Sequence, residues 1–278
     1  MNTKEIMMMK VGFVGTGNMA SAIIKGMINK EHTKANDIFV FDVDIEKMNQ
    51  FVRETETNTC ESCEELVECA DILVLAVKPN QFEAVLTPLK ECIKAKNPLI
   101  VSIAAGTSIE KIHKLTEAGS ELAIIRVMPN VNAMIGEGAA AVCGNKAASQ
   151  EQVDFVLDMF NAIGMAIELP EHHFSTFTAI AGSSPAYAYL FIDSLARGAV
   201  KNGLPKDLAN KIAAQAVLGS AKMILESDED PWVHINRVCS PGGTTVAGLV
   251  ALEDQAFIST VIKGVDATIK RDEELMKK

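Results

Sequence analysis

The sequence predicts a doubly wound α/β fold with a mostly parallel sheet, followed by an all-helical carboxyl-terminal part. Short apolar runs alternate with helical stretches of about 10 to 15 residues through the first part of the chain, a pattern typical of parallel sheets. The run at residues 72–77 has no polar alternation, as expected of a strand buried on both faces. After about residue 170 no further apolar run bounded by turns occurs, and helical periodicity takes over.

The predicted elements follow one another in a regular order. Strands are predicted at residues 10–14, 38–41, 72–77, 99–103 and 122–127, with two late strands at 138–143 and 165–168. Helices are predicted after the first strand, from residue 44, and near 80–95, 108–118, 149–163, 177–201 and 206–226. The last of these helices carries an apolar face made of Ala209, Ile212, Ala213, Ala216, Val217, Met223 and Ile224. Leu218 and Leu225 lie off that face, which indicates burial against another subunit or within a compact monomeric bundle.

The composition is that of an ordinary globular protein, and it excludes several functions. The chain has 278 residues, of which 48% are hydrophobic and 22% charged, and its formal net charge is −10. An acidic protein repels phosphate backbones and anionic lipids, so neither nucleic acid nor a membrane is an expected partner. No apolar run approaches the roughly 18 to 20 residues that cross a bilayer.

The six cysteines, at positions 60, 63, 69, 92, 143 and 239, predict no metal centre. Only Cys60-x-x-Cys63 has metal or redox spacing, and no second pair or nearby histidine completes a zinc set. We therefore expect free, reduced thiols and a cytoplasmic location. The first ten residues contain Glu5 and no stretch long enough for a signal peptide, which predicts a short tail before the first strand.

A glycine turn joins the first predicted strand to the first helix. In Gly15-x-Gly17-x-x-Ala20, Gly15 allows the tight turn, Gly17 lets the backbone approach a pyrophosphate, and Ala20 lets the helix lie close to the sheet. The helix start offers unpaired N–H groups to the phosphates. The alternative is a plain strand-to-helix turn. The pattern predicts a Rossmann-type dinucleotide-binding domain over residues 1–170, with cofactor contacts at Gly15, Thr16, Gly17, Asn18 and Met19.

Asp42 follows the second predicted strand, 25 residues beyond Gly17. A carboxylate there can accept hydrogen bonds from an adenine ribose and repels the 2′-phosphate of NADPH, which favours NADH. The nearest downstream arginine, Arg53, lies well into the next helix. The alternative is a solvated acid at a strand end.

Three further loops follow predicted strands, where open α/β sheets bind their ligands. They read AVKP at residues 76–79, SIAAG at 102–106 and MPN at 128–130. Each of these segments could instead be an ordinary loop that makes no contact with a cofactor. The cofactor-binding residues expected in these loops are Ala76, Val77, Lys78, Pro79, Ala104 and Asn130.

Residues 240–245, in the helical part, read SPGGTT and precede an apolar helical stretch. A glycine pair before a helix start makes a concave row of backbone N–H groups suited to a carboxylate or phosphate. The alternative is a simple N-cap, in which Thr244 or Thr245 satisfies the first helix donors and binds nothing.

Taken together, the motifs resemble those of the pyrroline-5-carboxylate reductase family over nearly the whole chain. They are GFVGTGNMA, LAVKPNQ, SIAAG, RVMPN, AGSSPAY and SPGGTT, followed by a Leu-Glu pair at 252 and 253. The resemblance implies a Rossmann domain, then an all-α domain over residues 171–278 that binds substrate and interlocks with a partner as a homodimer, often in a ring of dimers. It implies hydride transfer from NADH or NADPH to the C=N bond of 1-pyrroline-5-carboxylate, a cyclic imino acid, giving L-proline.

The resemblance also assigns the substrate site. It implies that the SPGGTT loop holds the substrate carboxylate, and that Thr245, the catalytic residue, is directed at the ring nitrogen. The implied substrate-binding residues are Ser240, Gly242, Gly243, Thr244 and Thr245.

Two other functions remain as alternatives. One is a dehydrogenase of similar plan acting on β-hydroxy acids, whose family carries a lysine several residues after a glycine-rich helix start. The sequence after Gly182-Ser183-Ser184 reads PAYAYLFIDSLARG, without one. The other is a catalytically silent NAD-binding scaffold or redox sensor, which the intact SPGGTT argues against.

Overall fold

The computed structural model describes residues 9–276 and contains one eight-stranded sheet. Its strands are β1 (Val11–Val14), β2 (Ile38–Phe41), β3 (Asn58–Thr59), β4 (Ile72–Leu75), β5 (Leu99–Ser102), β6 (Ile124–Pro129), β7 (Gly138–Gly144) and β8 (Gly164–Glu168). They lie in the order β3-β2-β1-β4-β5-β6-β7-β8, and only the β6–β7 pair is antiparallel. The predicted doubly wound, mostly parallel sheet is confirmed. The tail predicted before the first strand falls largely outside the described residues.

The helices alternate with the strands and then continue alone. They are α1 (Asn18–Asn29), α2 (Ile45–Thr55), α3 (Cys63–Cys69), α4 (Phe82–Lys96), α5 (Ile109–Thr116), α6 (Gln150–Asn161), α7 (Phe174–Phe177), α8 (Ser184–Lys201), α9 (Lys206–Leu225), α10 (Pro231–Val238), α11 (Thr244–Asp254) and α12 (Phe257–Met276). A π-helical segment, Thr178–Ser183, joins α7 to α8. Short polar side chains fix several starts by accepting a backbone N–H of the first turn, namely Asp44, Ser62, Ser108 and Ser149.

The core forms two layers because the central strands are buried on both faces. Along β4, Ile72 and Val74 pack into one apolar cluster, and Leu73 and Leu75 pack into the other. This alternation explains why the sequence run lacks polar residues. The sequence did not predict β3, which pairs with β2 through two polar residues only and gives no recognisable pattern.

The chain divides into two compact units. The first unit consists of two segments, one that ends at Gly182 and one that begins at Ile269. The second unit is Ser183–Thr268. The domain boundary predicted after residue 170 stays a prediction. Within the part of the chain described, no single helix is long and apolar enough to cross a bilayer, although α11 and α12, bent by 53° at their break, pass that test together by length and composition.

The second unit has a small core of its own. Where α8 packs on α9, Ala196, Ala209 and Ala213 are buried. Most large apolar side chains of this unit are exposed, including Ile212, Leu218, Met223 and Leu225 of α9. The predicted apolar face of α9 is therefore only partly covered within one chain.

Candidate active site

The loops after β1, β2 and β4 meet at the carboxyl edge of the sheet. The chain winds away from β1 in both directions, to β2 on one side and β4 on the other, which creates the switch point where open α/β sheets bind ligands. Backbone hydrogen bonds tie the strand ends together: Gly15 N–H donates to Phe41 O at 2.7 Å, and Ala76 N–H donates to Val14 O at 3.0 Å.

Gly15 and Gly17 differ in what a side chain would meet. Gly15 has φ +101°, and a Cβ there would lie 2.9 Å from Ala76 O, so the turn itself requires glycine. Gly17 has an ordinary φ of −66°, and a Cβ there would meet no protein atom within 4 Å. Gly17 precedes α1, and no side chain caps that helix among the residues described. The N–H groups of the first turn therefore stay available to an anion.

Asp42 is bound to the glycine turn. Its Oδ2 accepts from Thr16 N–H at 2.7 Å and from the Thr16 hydroxyl at 2.8 Å, and its Oδ1 accepts from Asp44 N–H at 3.1 Å. Burial raises the pKa of Asp42, but these hydrogen bonds and the charge of Lys47 lower it further, so the pKa lies below its usual range. The carboxylate is negatively charged at neutral pH and supports the turn as well as facing solvent.

A cavity of about 340 Å³ lies against these loops. It brings together six of the residues predicted to bind cofactor, which are Gly15, Gly17, Asp42, Ala76, Val77 and Lys78. Its other lining residues, which the sequence did not predict, are Val14, Phe41, Val43, Lys47, Cys63, Gln81 and Val85. Burial raises the pKa of the Cys63 thiol to about 11, so Cys63 contributes a neutral wall. The open space at Gly17, the uncapped helix start and the carboxylate fit an adenine dinucleotide.

The remaining predicted cofactor residues lie around this cavity or at neighbouring strand ends. Thr16 is buried beneath Asp42, Asn18 and Met19 begin α1, and Pro79 begins a 3₁₀ turn. Ala104 is buried two residues after β5. Asn130, the last of the predicted cofactor residues, directly follows β6.

The side-chain amide of Asn130 braces the chain. Its Oδ1 accepts from Ala139 N–H at 3.0 Å, and its Nδ2 donates to Ala181 O at 3.0 Å. Ala181 belongs to the π-helical segment, so this side chain fixes that segment to the end of β6. The sequence indicated a ligand role for Asn130, and the structure adds a positioning role.

The SPGGTT loop leads into α11 in the second unit. Gly242 has φ +69°, and Gly243 N–H donates to Ser240 O at 3.0 Å, which closes a tight turn before the helix. A Cβ on Gly243 would clash with Ser240 Oγ. In the described chain no side chain caps α11, and the exposed Thr245 hydroxyl has no hydrogen-bond partner. The N-cap alternative for Thr244 and Thr245 is therefore not what the structure contains.

The sheet, the glycine turn and the cavity together define a dinucleotide-binding protein of the Rossmann class. Residues 10–106 match a family model described as NADP oxidoreductase, coenzyme F420-dependent, and residues 171–275 match one described as pyrroline-5-carboxylate reductase dimerisation. The pyrroline-5-carboxylate reductase of Escherichia coli is 37% identical over 268 residues, which cover 96% of this chain and 98% of the relative.

Solved structures give the same result. A pyrroline-5-carboxylate reductase from Coxiella burnetii superposes with a TM-score of 0.91 at 31% identity, and the Plasmodium falciparum enzyme with NADP bound superposes with 0.83 at 35%. Each alignment covers 96% of this chain and 98% of the other. The chain belongs to the pyrroline-5-carboxylate reductase family. The resemblance inferred from its motifs is confirmed, and the protein is an oxidoreductase that uses a nicotinamide cofactor.

Proposed function

We propose that this protein reduces 1-pyrroline-5-carboxylate to L-proline with NADH or NADPH. The observation that carries the proposal is the uncapped start of α11, which follows the Gly242-Gly243 turn and leaves Thr245 unpartnered. Such a row of N–H groups suits a small carboxylate, and the free hydroxyl suits a polar atom of the same ligand. The family supplies the identity of the substrate.

The chain's own residues bind and orient the substrate. The N–H groups of Thr244 and Thr245, in the first turn of α11, hold the carboxylate, and the Thr245 hydroxyl hydrogen-bonds the ring nitrogen. Ser240, Gly242 and Gly243 shape the turn that presents these groups, since Gly243 N–H is already bonded to Ser240 O. The chemistry that a nicotinamide would supply when bound is a hydride for the C=N carbon. A protonated imine already accepts hydride well, so alignment accounts for most of the catalysis, and no acid–base pair is needed. Orientation rather than proton donation is the role of Thr245, because an unassisted hydroxyl is a weak acid.

The assay that tests this function is proline oxidation at alkaline pH, alongside reduction of 1-pyrroline-5-carboxylate. Turnover with both supports the proposal. Turnover with β-hydroxy acids in their place contradicts it and supports the other dehydrogenase class. Cofactor binding without turnover of either substrate contradicts it and supports a silent scaffold.

We propose that the residues predicted to bind the cofactor do so and that Asp42 favours NADH. Asp42→Asn is expected to shift the ratio of kcat/KM values towards NADPH by about 5- to 30-fold, because ~1–2 kcal/mol of repulsion between carboxylate and 2′-phosphate is removed. Asparagine keeps an acceptor oxygen for Thr16, so the turn is retained. Steady-state kinetics with both cofactors measures the ratio.

Asp42→Ala is the matched comparison for that experiment. It removes both the charge and the support of the turn, so the apparent affinity for both cofactors should fall. An unchanged cofactor ratio in Asp42→Asn and in Asp42→Ala would show that Asp42 does not set the preference.

We further propose that residues 171–278 form the substrate and dimerisation domain, with a homodimer as the basic unit and a ring of dimers as its assembly. The exposed apolar residues of α9 support this, since so large an apolar surface is typical of a protein interface.

The free state of all six cysteines supports the cytoplasm as the location. Residues 1–170 then form the cofactor domain.

Ile212→Lys tests the dimer directly. Ile212 is 52% exposed in the single chain, so lysine there should leave the protomer folded but place a charge in the proposed interface. We expect a lower mass by analytical ultracentrifugation at equal concentration. Ile135→Lys, at a 78% exposed site of the first unit, is the control and should keep the wild-type mass. Equal masses for wild type and Ile212→Lys would contradict an interface on this face.

A further inference from the structure

Three potential metal ligands converge beside α3, and none of them lines the cofactor cavity. Cys60 follows β3, and Glu65 and Cys69 lie one turn apart on α3, a spacing that places them on the same helix face. The Sγ atoms of Cys60 and Cys69 and a carboxylate oxygen of Glu65 all lie within 4.8 Å of one another. Cys60 is 2% exposed, whereas Glu65 is exposed, so the cluster has a protected side and an open side.

We propose that Cys60, Cys69 and Glu65 bind a divalent cation of the zinc class, with water as the fourth ligand. Thiolate and carboxylate are ordinary donors for such an ion. Zn–S bonds of about 2.3 Å and Zn–O bonds of about 2.0–2.2 Å place tetrahedral donors roughly 3.5–3.8 Å apart. The 4.8 Å limit is close enough for side-chain rotations to close the site. Binding converts two thiols to thiolates and releases two protons to solvent.

Hydrogen bonds around the cluster already orient the carboxylate. Glu61 N–H donates to Glu65 Oε2 at 2.5 Å, and Glu65 N–H donates to Ser62 Oγ at 3.1 Å. These bonds tie the loop that begins at Cys60 to the first turn of α3, as second-sphere partners do in metal sites. The ion would act as a structural clamp between this loop and the end of α3 at Cys69.

The sequence did not indicate this site because the spacing is unusual. The only pair with metal spacing is Cys60-x-x-Cys63, but the structure brings Cys60 to Cys69, nine residues away. Cys63 lies at the start of α3 and lines the cofactor cavity instead. The position of Cys69 on α3, rather than its distance from Cys60 along the sequence, places the two thiols together.

Titration with Co²⁺ tests the proposal on the full chain, kept in a phosphine reductant after chelator treatment. Wild-type protein should bind one Co²⁺ per chain, with a thiolate-to-metal absorption band and the strong visible bands of a tetrahedral ion, both displaced by Zn²⁺. Cys69→Ser leaves Cys60 as the one thiolate of the cluster, so it should bind Co²⁺ more weakly and with a smaller thiolate band, and Glu65→Gln should weaken binding by at least about tenfold. Cys92→Ser, which removes a thiol of α4 outside the cluster, should bind as the wild type does.

Thermal unfolding gives a second readout. Zn²⁺ should raise the Tm of the wild type and of Cys92→Ser but not that of Cys69→Ser. Because Glu65 is exposed, Glu65→Gln is expected to fold normally and keeps the test valid if Cys69→Ser does not. The proposal is overturned if wild-type protein binds no Co²⁺, or if Cys69→Ser or Glu65→Gln binds it as tightly as the wild type does. It is also overturned if protein purified without reductant shows the two-hydrogen mass loss of a disulfide between Cys60 and Cys69 in place of a metal.

Discussion

Thr245→Ala is expected to lower kcat by about 10- to 1000-fold, the range of a lost, well-placed polar group. The Thr245 hydroxyl is exposed and unpartnered within the described chain, so its removal breaks no bond of the fold. Its loss leaves the substrate ring nitrogen without a positioned partner as hydride arrives. Single-turnover rates with saturating cofactor measure the effect on the chemical step.

Two further substitutions separate the hydroxyl from the bulk of the side chain. Thr245→Val keeps the shape and removes the hydroxyl, so it should be as slow as Thr245→Ala. Thr245→Ser keeps the hydroxyl and should recover most of the rate. Wild-type kinetics in Thr245→Ala and Thr245→Val would remove Thr245 from the mechanism.

Gly17→Ala is expected to weaken binding of both nicotinamide cofactors by about 10- to 100-fold, or ~1.4–2.8 kcal/mol. The space beside Gly17 contains no protein atom within 4 Å, and its φ of −66° suits any residue. A methyl group there meets only the pyrophosphate that the backbone would otherwise approach. Fluorescence titration with NADH and NADPH measures the Kd values, and the free energy of unfolding should change by no more than about 1 kcal/mol.

Gly119→Ala is the matched control. Gly119 also has open space around it, but it lies before β6, at the opposite edge of the sheet. The Gly119→Ala variant should bind NADH and NADPH with the Kd values of the wild type. Equal Kd values for Gly17→Ala and wild type would place the pyrophosphate elsewhere.

Much of the fold could be predicted because burial leaves a strong pattern in parallel strands. The residues of β1 and β4 are apolar without interruption, and those of β5 are apolar up to Val101, since both faces of each strand are covered. Asn58 and Thr59 form β3 through backbone pairing and through the Asn58 side-chain amide, which donates to Ile38 O of β2 at 3.1 Å, so no apolar pattern marks this strand. The π-helical Thr178–Ser183 likewise depends on tertiary contacts, among them the bond from Asn130 to Ala181 O.

The site was predictable where function constrains the backbone and less so where side chains reach in from helices. Gly15 is recognisable because a Cβ there would lie 2.9 Å from Ala76 O, and Gly17 because the proposed pyrophosphate needs the open space beside its backbone. Lys47 and Val85 line the cavity only because of how α2 and α4 are rotated against the sheet, which no local spacing encodes. The hydrogen bonds from Thr16 to Asp42 join residues far apart in sequence and needed the structure.

Two hydrogen bonds from Thr16 to Asp42 Oδ2 also make the two positions epistatic, because the effect of a substitution at one depends on the residue at the other. A substitution at position 42 that leaves no acceptor oxygen, such as Asp42→Ala, also unpairs two donors of the buried Thr16, so its measured effect combines cofactor selectivity with distortion of the loop. A change of cofactor preference without distortion of the loop therefore requires either a residue at position 42 that still accepts from Thr16 or a simultaneous exchange of Thr16, and an evolving lineage would meet the same coupling.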